Sequence, residues 1–252
     1  MRLTTIGTGT AAPWPTRVQA GHLVEAGGVR ALFDCGSGVA TRFATLGLDW
    51  RDVTHLVLTH FHADHVLDIP TLLTAWRWGT LPPRSSPLTV IGPAGTQNLV
   101  DELTTTLGIE YRQYGFPIEI REIAPDGSLQ LAPGVSLQAK KVPHTAESVA
   151  YWVETGRRRI VYSGDTGYDE ELARWASRAD VFLCECSLPD AMGIPSHLTP
   201  SGVADLAAIA KPRLLALTHL YPPLEGLDVP GVVGARFAGP VVVAYDGWSI
   251  QL

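Results

Sequence analysis

The chain has 252 residues, 46% of them hydrophobic and 17% charged, with a formal net charge of −6. That length and balance fit a folded chain with a substantial buried core and exclude a disordered one. The acidic sum lacks the bulk attraction that drives polyanion binding, so extensive nucleic-acid binding is unexpected.

RLTTI, HLVEA and RALFD read as three early strands, and GSGVATRFATLG as the helix that follows them. HLVLT, from His55, is a strand that ends in the run THFHADH, and VLDIPTLLTAWRW after it is helical. LTVIG is a further strand, and AGTQNLVDELTTTLG a helix opened by a small-residue turn. VSLQAKKV, VAYWVE and RIVYS form a second strand series, followed by a helix in DEELARWASRA and a buried strand in VFLCEC. TPSGVADLAAIAK is a helix with Thr199 at the N-cap and Pro200 at the first helical position, both favoured there. LLALT and VVVAY close the series. Strands and helices mix in both halves without an internal repeat, which points to an α/β chain read as one domain over 1–252. GTLPPRSSP (79–87) and YPPLEGLDVPG are surface loops within it.

Cys35, Cys184 and Cys186 are the three cysteines, an odd number that implies no disulfide framework and fits a reducing compartment. The opening MRLTTIGTGTAAP has no apolar signal core, and no run reaches the roughly 18 apolar residues of a spanning helix. The expectation is a soluble, cytoplasmic protein with no membrane partner.

THFHADH carries the chemistry. Strand side chains alternate, so His60 and His62 share one side, and the turn that follows brings Asp64 and His65 past the same point. Imidazole nitrogen with carboxylate oxygen suits zinc, and also manganese or iron. A His and Asp set without thiolates belongs to sites that keep open positions for water. The plain alternative, a surface loop with satisfied histidines, explains a lone histidine better than it explains HxHxDH at a strand end. Three more residues of ligand type follow apolar strands: His144 in KVPHTAE, Asp165 in YSGDTG and His219 in LTHLYPP. Loops at the carboxyl ends of strands converge in open sheets. Asp165 could instead cap the helix after it. His22 and His55 lie in or beside strands and read as ordinary packed or exposed residues.

HFHADH, then His144, SGDTG and LTH in this order, with GTGTAAP and LFDCGSG ahead of them, resemble the metallo-β-lactamase superfamily over almost the whole chain. The resemblance implies a four-layer αββα sandwich with two divalent metal ions, zinc first, at one edge of the sheets. It implies that His60, His62 and His144 hold one ion, that Asp64, His65 and His219 hold the other, and that Asp165 bridges them. The implied activity is hydrolysis by a metal-bridging hydroxide, with Asp64 also orienting or deprotonating the water.

The run CECSLPDAMGIPSHLTPSGVADLA is similar to the ribonuclease Z-like phosphodiesterase branch. The match implies that His197 donates a proton to the leaving group and that Glu185 supports it. Cys184 and Cys186, flanking Glu185, would then face the opposite way, into the core. One departure stands out. Only residues 145–164 separate His144 from Asp165, where ribonuclease Z enzymes of this type carry a long tRNA-gripping arm. With the acidic charge, this points to a small or nucleotide-like phosphodiester substrate and away from tRNA. A carboxyl-ester, lactone or thioester hydrolase is the alternative, and a metal-binding scaffold the third reading. Related proteins commonly form homodimers. Trp76 and Trp78, Tyr114 and Phe116, and Tyr221 are aromatic candidates for a substrate cleft, with core packing an equal alternative for the tryptophans.

Overall fold

The computed structural model describes residues 1–108 and 110–252. Two seven-stranded mixed sheets stack face to face. The first holds β1 (Arg2–Gly7), β2 (Gly21–Ala26), β3 (Val29–Phe33), β4 (His55–Val57), β5 (Leu88–Gly92), β6 (Ile118–Glu122) and β14 (Ser249–Gln251), in the order β14-β1-β2-β3-β4-β5-β6. The second holds β7 (Ser128–Ala132), β8 (Val135–Lys141), β9 (Val149–Thr155), β10 (Arg158–Tyr162), β11 (Val181–Glu185), β12 (Leu215–Thr218) and β13 (Val241–Val243), in the order β13-β12-β11-β10-β9-β8-β7.

Alternation along the strands builds the layers. In β11, Val181 and Leu183 enter the core between the sheets, while Phe182 and Cys184 join the core under the outer helices. A strand buried on both faces must read as a continuous apolar run, as VFLCE does. Helices α1 (Val39–Thr45), α3 (Ile69–Trp78) and α4 (Thr96–Thr106) cover the first sheet, with the one-turn α2 (Ala63–Val66) at its edge. Helices α5 (Glu170–Trp175), α6 (Pro200–Ala210) and α7 (Val229–Gly234) cover the second. The αββα sandwich expected from the resemblance is the fold observed. Among the described residues, no helix is long and apolar enough to cross a membrane.

The sheet topology positions the site. β3 to β6 run parallel, as do β10 to β13, and β8 shares the direction of β10 through the antiparallel β9. The carboxyl ends of β3, β4, β8, β10, β11 and β12 therefore meet at one edge. Several local readings shift. The strand read as HLVLT keeps ladder pairing only at His55–Val57, because the chain leaves the ladder to deliver the histidines. Residues 118–122 and 128–132 are strands, and Val229–Gly234 is a short helix within the loop after His219. Thr199 caps α6 as expected, its hydroxyl accepting from Gly202 N–H. Asp165 does not cap α5; that cap is Asp169, which accepts from Glu171 N–H at 2.9 Å.

Candidate metal centre

All seven candidate ligands meet at that edge. One ligand atom from each of His60, His62, His144 and Asp165 lies within 4.8 Å of the others, and the same holds for Asp64, His65 and His219. Asp165 stands between the two groups. Its Oδ2 lies 3.7 Å from His60 Nε2 and 3.7 Å from His144 Nε2, and its Oδ1 lies 3.3 Å from both His65 Nε2 and His219 Nε2. One oxygen thus faces each group.

The atoms fit cations better than they fit one another. His60 Nε2 and Asp165 Oδ1 are buried without a hydrogen-bond partner, a costly state unless something else satisfies them. His144 Nε2 faces His62 Nδ1 at 3.1 Å, and His65 Nε2 faces His219 Nε2 at 3.3 Å. Two neutral imidazole nitrogens at such distances share at most one proton, whereas a cation serves both lone pairs. Burial and the neighbouring imidazoles hold His60 well below the ordinary histidine range. Burial works against charge on His65 too, but the Asp165 and Asp34 carboxylates raise it well above that range. Burial would also raise the Asp165 carboxyl, and the facing His219 and His65 push it well below the usual range.

The outward nitrogens are oriented from behind, which fixes the tautomer that presents a lone pair to the centre. His144 Nδ1 donates to Ser196 O at 2.9 Å, and His65 Nδ1 donates to Asp34 Oδ2 at 2.8 Å. Ser187 Oγ lies 3.0 Å from His219 Nδ1 and donates to Glu185 Oε2 at 2.5 Å. Asp34 and Ser187 are the residues that sequence reasoning passed over. Asp34 follows an apolar strand as Asp165 does, so the strand-end signal was present in LFDCG. The carboxylate is fully buried and accepts from Thr59 N–H, Thr59 Oγ1, His65 Nδ1 and Tyr162 Oη. Thr59 Oγ1 in turn lies 3.0 Å from His60 Nδ1. One carboxylate therefore supports an imidazole in each group.

The backbone is strained where it turns into the site. Asp34 (φ 56°) and His219 (φ 55°) both adopt the left-handed region, which costs a non-glycine residue about 1–3 kcal/mol. Gly36 is required for packing, since a Cβ there would lie 1.9 Å from Asp64 O.

His197 joins the cluster: it groups with Asp165 and His219 within the same 4.8 Å limit. Its Nδ1 lies 3.1 Å from Glu185 Oε1. Glu185 is fully buried and also accepts from Thr166 N–H and Leu198 N–H. Burial lowers the His197 imidazole, but the hydrogen bond and charge of Glu185 outweigh it and raise the pKa. Cys184 and Cys186 are buried and free, packed under the outer helices on the face opposite Glu185. Trp76, Tyr114 and Phe116 are buried in the core beneath the first sheet, at the end of α3 remote from the histidines, so these three are not cleft residues. Tyr221 does lie beside His219, with ring centroids 6.1 Å apart.

Comparison with known proteins agrees with this geometry. Residues 29–220 match the family described as the Beta-lactamase superfamily domain. The chain belongs to the metallo-β-lactamase superfamily. Within it, a ribonuclease Z of Mycobacterium avium is 33% identical, the match covering 100% of this chain and 98% of that one. The metallo-β-lactamase fold protein YhfI from Bacillus subtilis superposes with a TM-score of 0.84 at 23% identity, covering 99% of this chain and 98% of that chain. Human tRNase Z, short form, superposes with a TM-score of 0.82 at 23% identity, covering 100% and 99%. The superfamily member described here is thus a ribonuclease Z-like, metal-dependent hydrolase.

These relatives correct one expectation. The charge of −6 and the short span between His144 and Asp165 point to a small-molecule ester or phosphodiester substrate and against extensive nucleic-acid binding. Relatives matched along their whole length are named for ribonuclease and tRNase activity. The physical error lies in the sum. Net charge averages over the chain, whereas attraction to a phosphodiester is set by the local field at the cleft, where bound cations are the largest charges.

Proposed function

We propose that the chain is a two-metal phosphodiesterase that hydrolyses RNA phosphodiester bonds. The observation that carries this reading is Asp165, whose two oxygens face two separate groups of imidazoles. His60, His62 and His144 would hold one ion and Asp64, His65 and His219 the other, with Asp165 shared. Divalent ions there, zinc first by donor type, supply Lewis acidity toward the phosphoryl group and acidify water at neutral pH.

The side chains do the rest. Burial opposes ionisation of Asp64, but the facing His219 and His65 imidazoles hold it well below the usual carboxylate range. It is an ionised acceptor, able to orient an attacking water. His197 donates a proton to the departing alkoxide, while its Nδ1–H stays on Glu185 and fixes the ring. The reading takes residues 1–252 as one catalytic unit, since its groups come from both sheets. Three buried free cysteines fit a reducing, cytoplasmic setting.

The test is cleavage of an end-labelled RNA by metal-analysed protein, with D165N alongside. Metal-dependent cleavage that D165N abolishes is expected. Metal-loaded protein that leaves both RNA and bis-p-nitrophenyl phosphate intact, yet opens lactones or thioesters, would contradict it.

A further inference from the structure

We infer that the groove beside His144 is a nucleobase subsite and that Tyr168 is its stacking platform, a specificity-determining residue. The inference rests on the phosphodiesterase reading and adds what lies next to the scissile phosphate. An open groove of about 790 Å³ lies beside the metal centre, on the outer side of His144, where that ring meets Ser196. Val142, Pro143, Pro195 and Tyr168 form its walls.

The charges in the groove decide what it takes. Lys141 is the cation among its lining residues, and its ammonium is already spent. Lys141 Nζ donates to three backbone carbonyls of the loop that carries His144: Val142 O at 3.0 Å, Thr145 O at 2.6 Å and Ser148 O at 3.1 Å. The anion of the groove, Asp169, is committed to the cap of α5. With both charges internally satisfied, the groove offers neither a phosphate clamp nor a cation trap. It offers apolar walls and one aromatic side chain, Tyr168, 49% exposed. An exposed ring beside a phosphodiester site suits the face of an uncharged, planar group, and the planar groups of RNA are its bases.

Base stacking on an aromatic side chain is worth about 1–3 kcal/mol, so Tyr168→Ala should weaken RNA binding roughly 5- to 150-fold. The experiment is fluorescence anisotropy of a labelled single-stranded RNA on the metal-loaded protein, comparing wild type, Y168A and Y168W. A second RNA series places an abasic nucleotide at each position in turn. Wild type should lose affinity at one abasic position. Y168A should show the loss already and be insensitive to that position, and Y168W should retain both affinity and sensitivity. Metal content and Tm of Y168A should equal those of wild type, which separates a lost stacking face from a damaged fold. Equal affinity of Y168A and wild type, or an abasic penalty as large in Y168A, would overturn the subsite. Base-dependent binding that Y168A loses, without RNA cleavage by wild type, would sink the phosphodiesterase reading and leave the subsite standing.

Discussion

Asp34→Asn isolates the support behind the metal centre from the centre itself. Asp34 touches no candidate metal position, yet it accepts from four donors, among them His65 Nδ1 at 2.8 Å and Tyr162 Oη at 2.8 Å. Asparagine tolerates the left-handed backbone that Asp34 adopts, so the substitution changes chemistry and not the fold of the turn. The amide oxygen can still serve Thr59. The amide nitrogen then stands where Oδ2 stood, and the Thr59 and Tyr162 hydroxyls can rotate to accept from it. The His65 ring cannot rotate in that way. To avoid a donor facing a donor, its proton must move to Nε2, the atom that faces Asp165 and His219. One mismatched buried polar contact costs about 1–3 kcal/mol, and loss of such an orienting partner lowers metal affinity about 10- to 100-fold. Urea unfolding of the metal-free variant measures the first quantity, and chelator competition the second. Unchanged metal affinity in D34N would refute the claim that Asp34 sets the His65 tautomer.

His197→Ala should depend on the leaving group. The loss should be about 10²- to 10⁴-fold on RNA, whose departing alkoxide needs a proton, and far smaller on bis-p-nitrophenyl phosphate, whose phenolate leaves unaided; equal losses on both would remove His197 from the acid role. Glu185 raises the His197 pKa, and the acid form acts only below that pKa, so E185Q should move the alkaline limb of the rate profile to lower pH. A limb that stays put would show that another group sets it. Chelation should also lower thermal stability. An ion held at 1,000 times its Kd adds about 4 kcal/mol, which for a chain of this size is roughly 10 °C in Tm, and a scan with and without EDTA reads it.

The metal-centre candidates were legible because each sits beyond an apolar strand that points to one edge, a rule that needs only local pattern. His60, His62, Asp64, His65, His144, Asp165 and His219 all meet there, and the Glu185–His197 contact joins them. Asp34 and Ser187 were not legible as supports, because their partners lie far along the chain. Asp34 reaches Tyr162, and Ser187 reaches His219. Asp165 was open to a capping role that belongs to Asp169, four residues on, since both precede the same helix. Composition misled on the substrate, because a sum of charges carries no positions. Of the two readings open for Trp76, core packing holds: it lies close to the histidines in sequence, but about two turns along α3, and is buried.

The central claim is that one carboxylate, Asp165, is shared by two ions. The most direct measurement is metal content per chain, by mass spectrometry of protein refolded or exchanged in zinc, for wild type, H144A, H65A and D165N. The account predicts two ions in wild type, one in each histidine variant and loss of both from D165N. A single ion in wild type, or two ions retained in D165N, would contradict it.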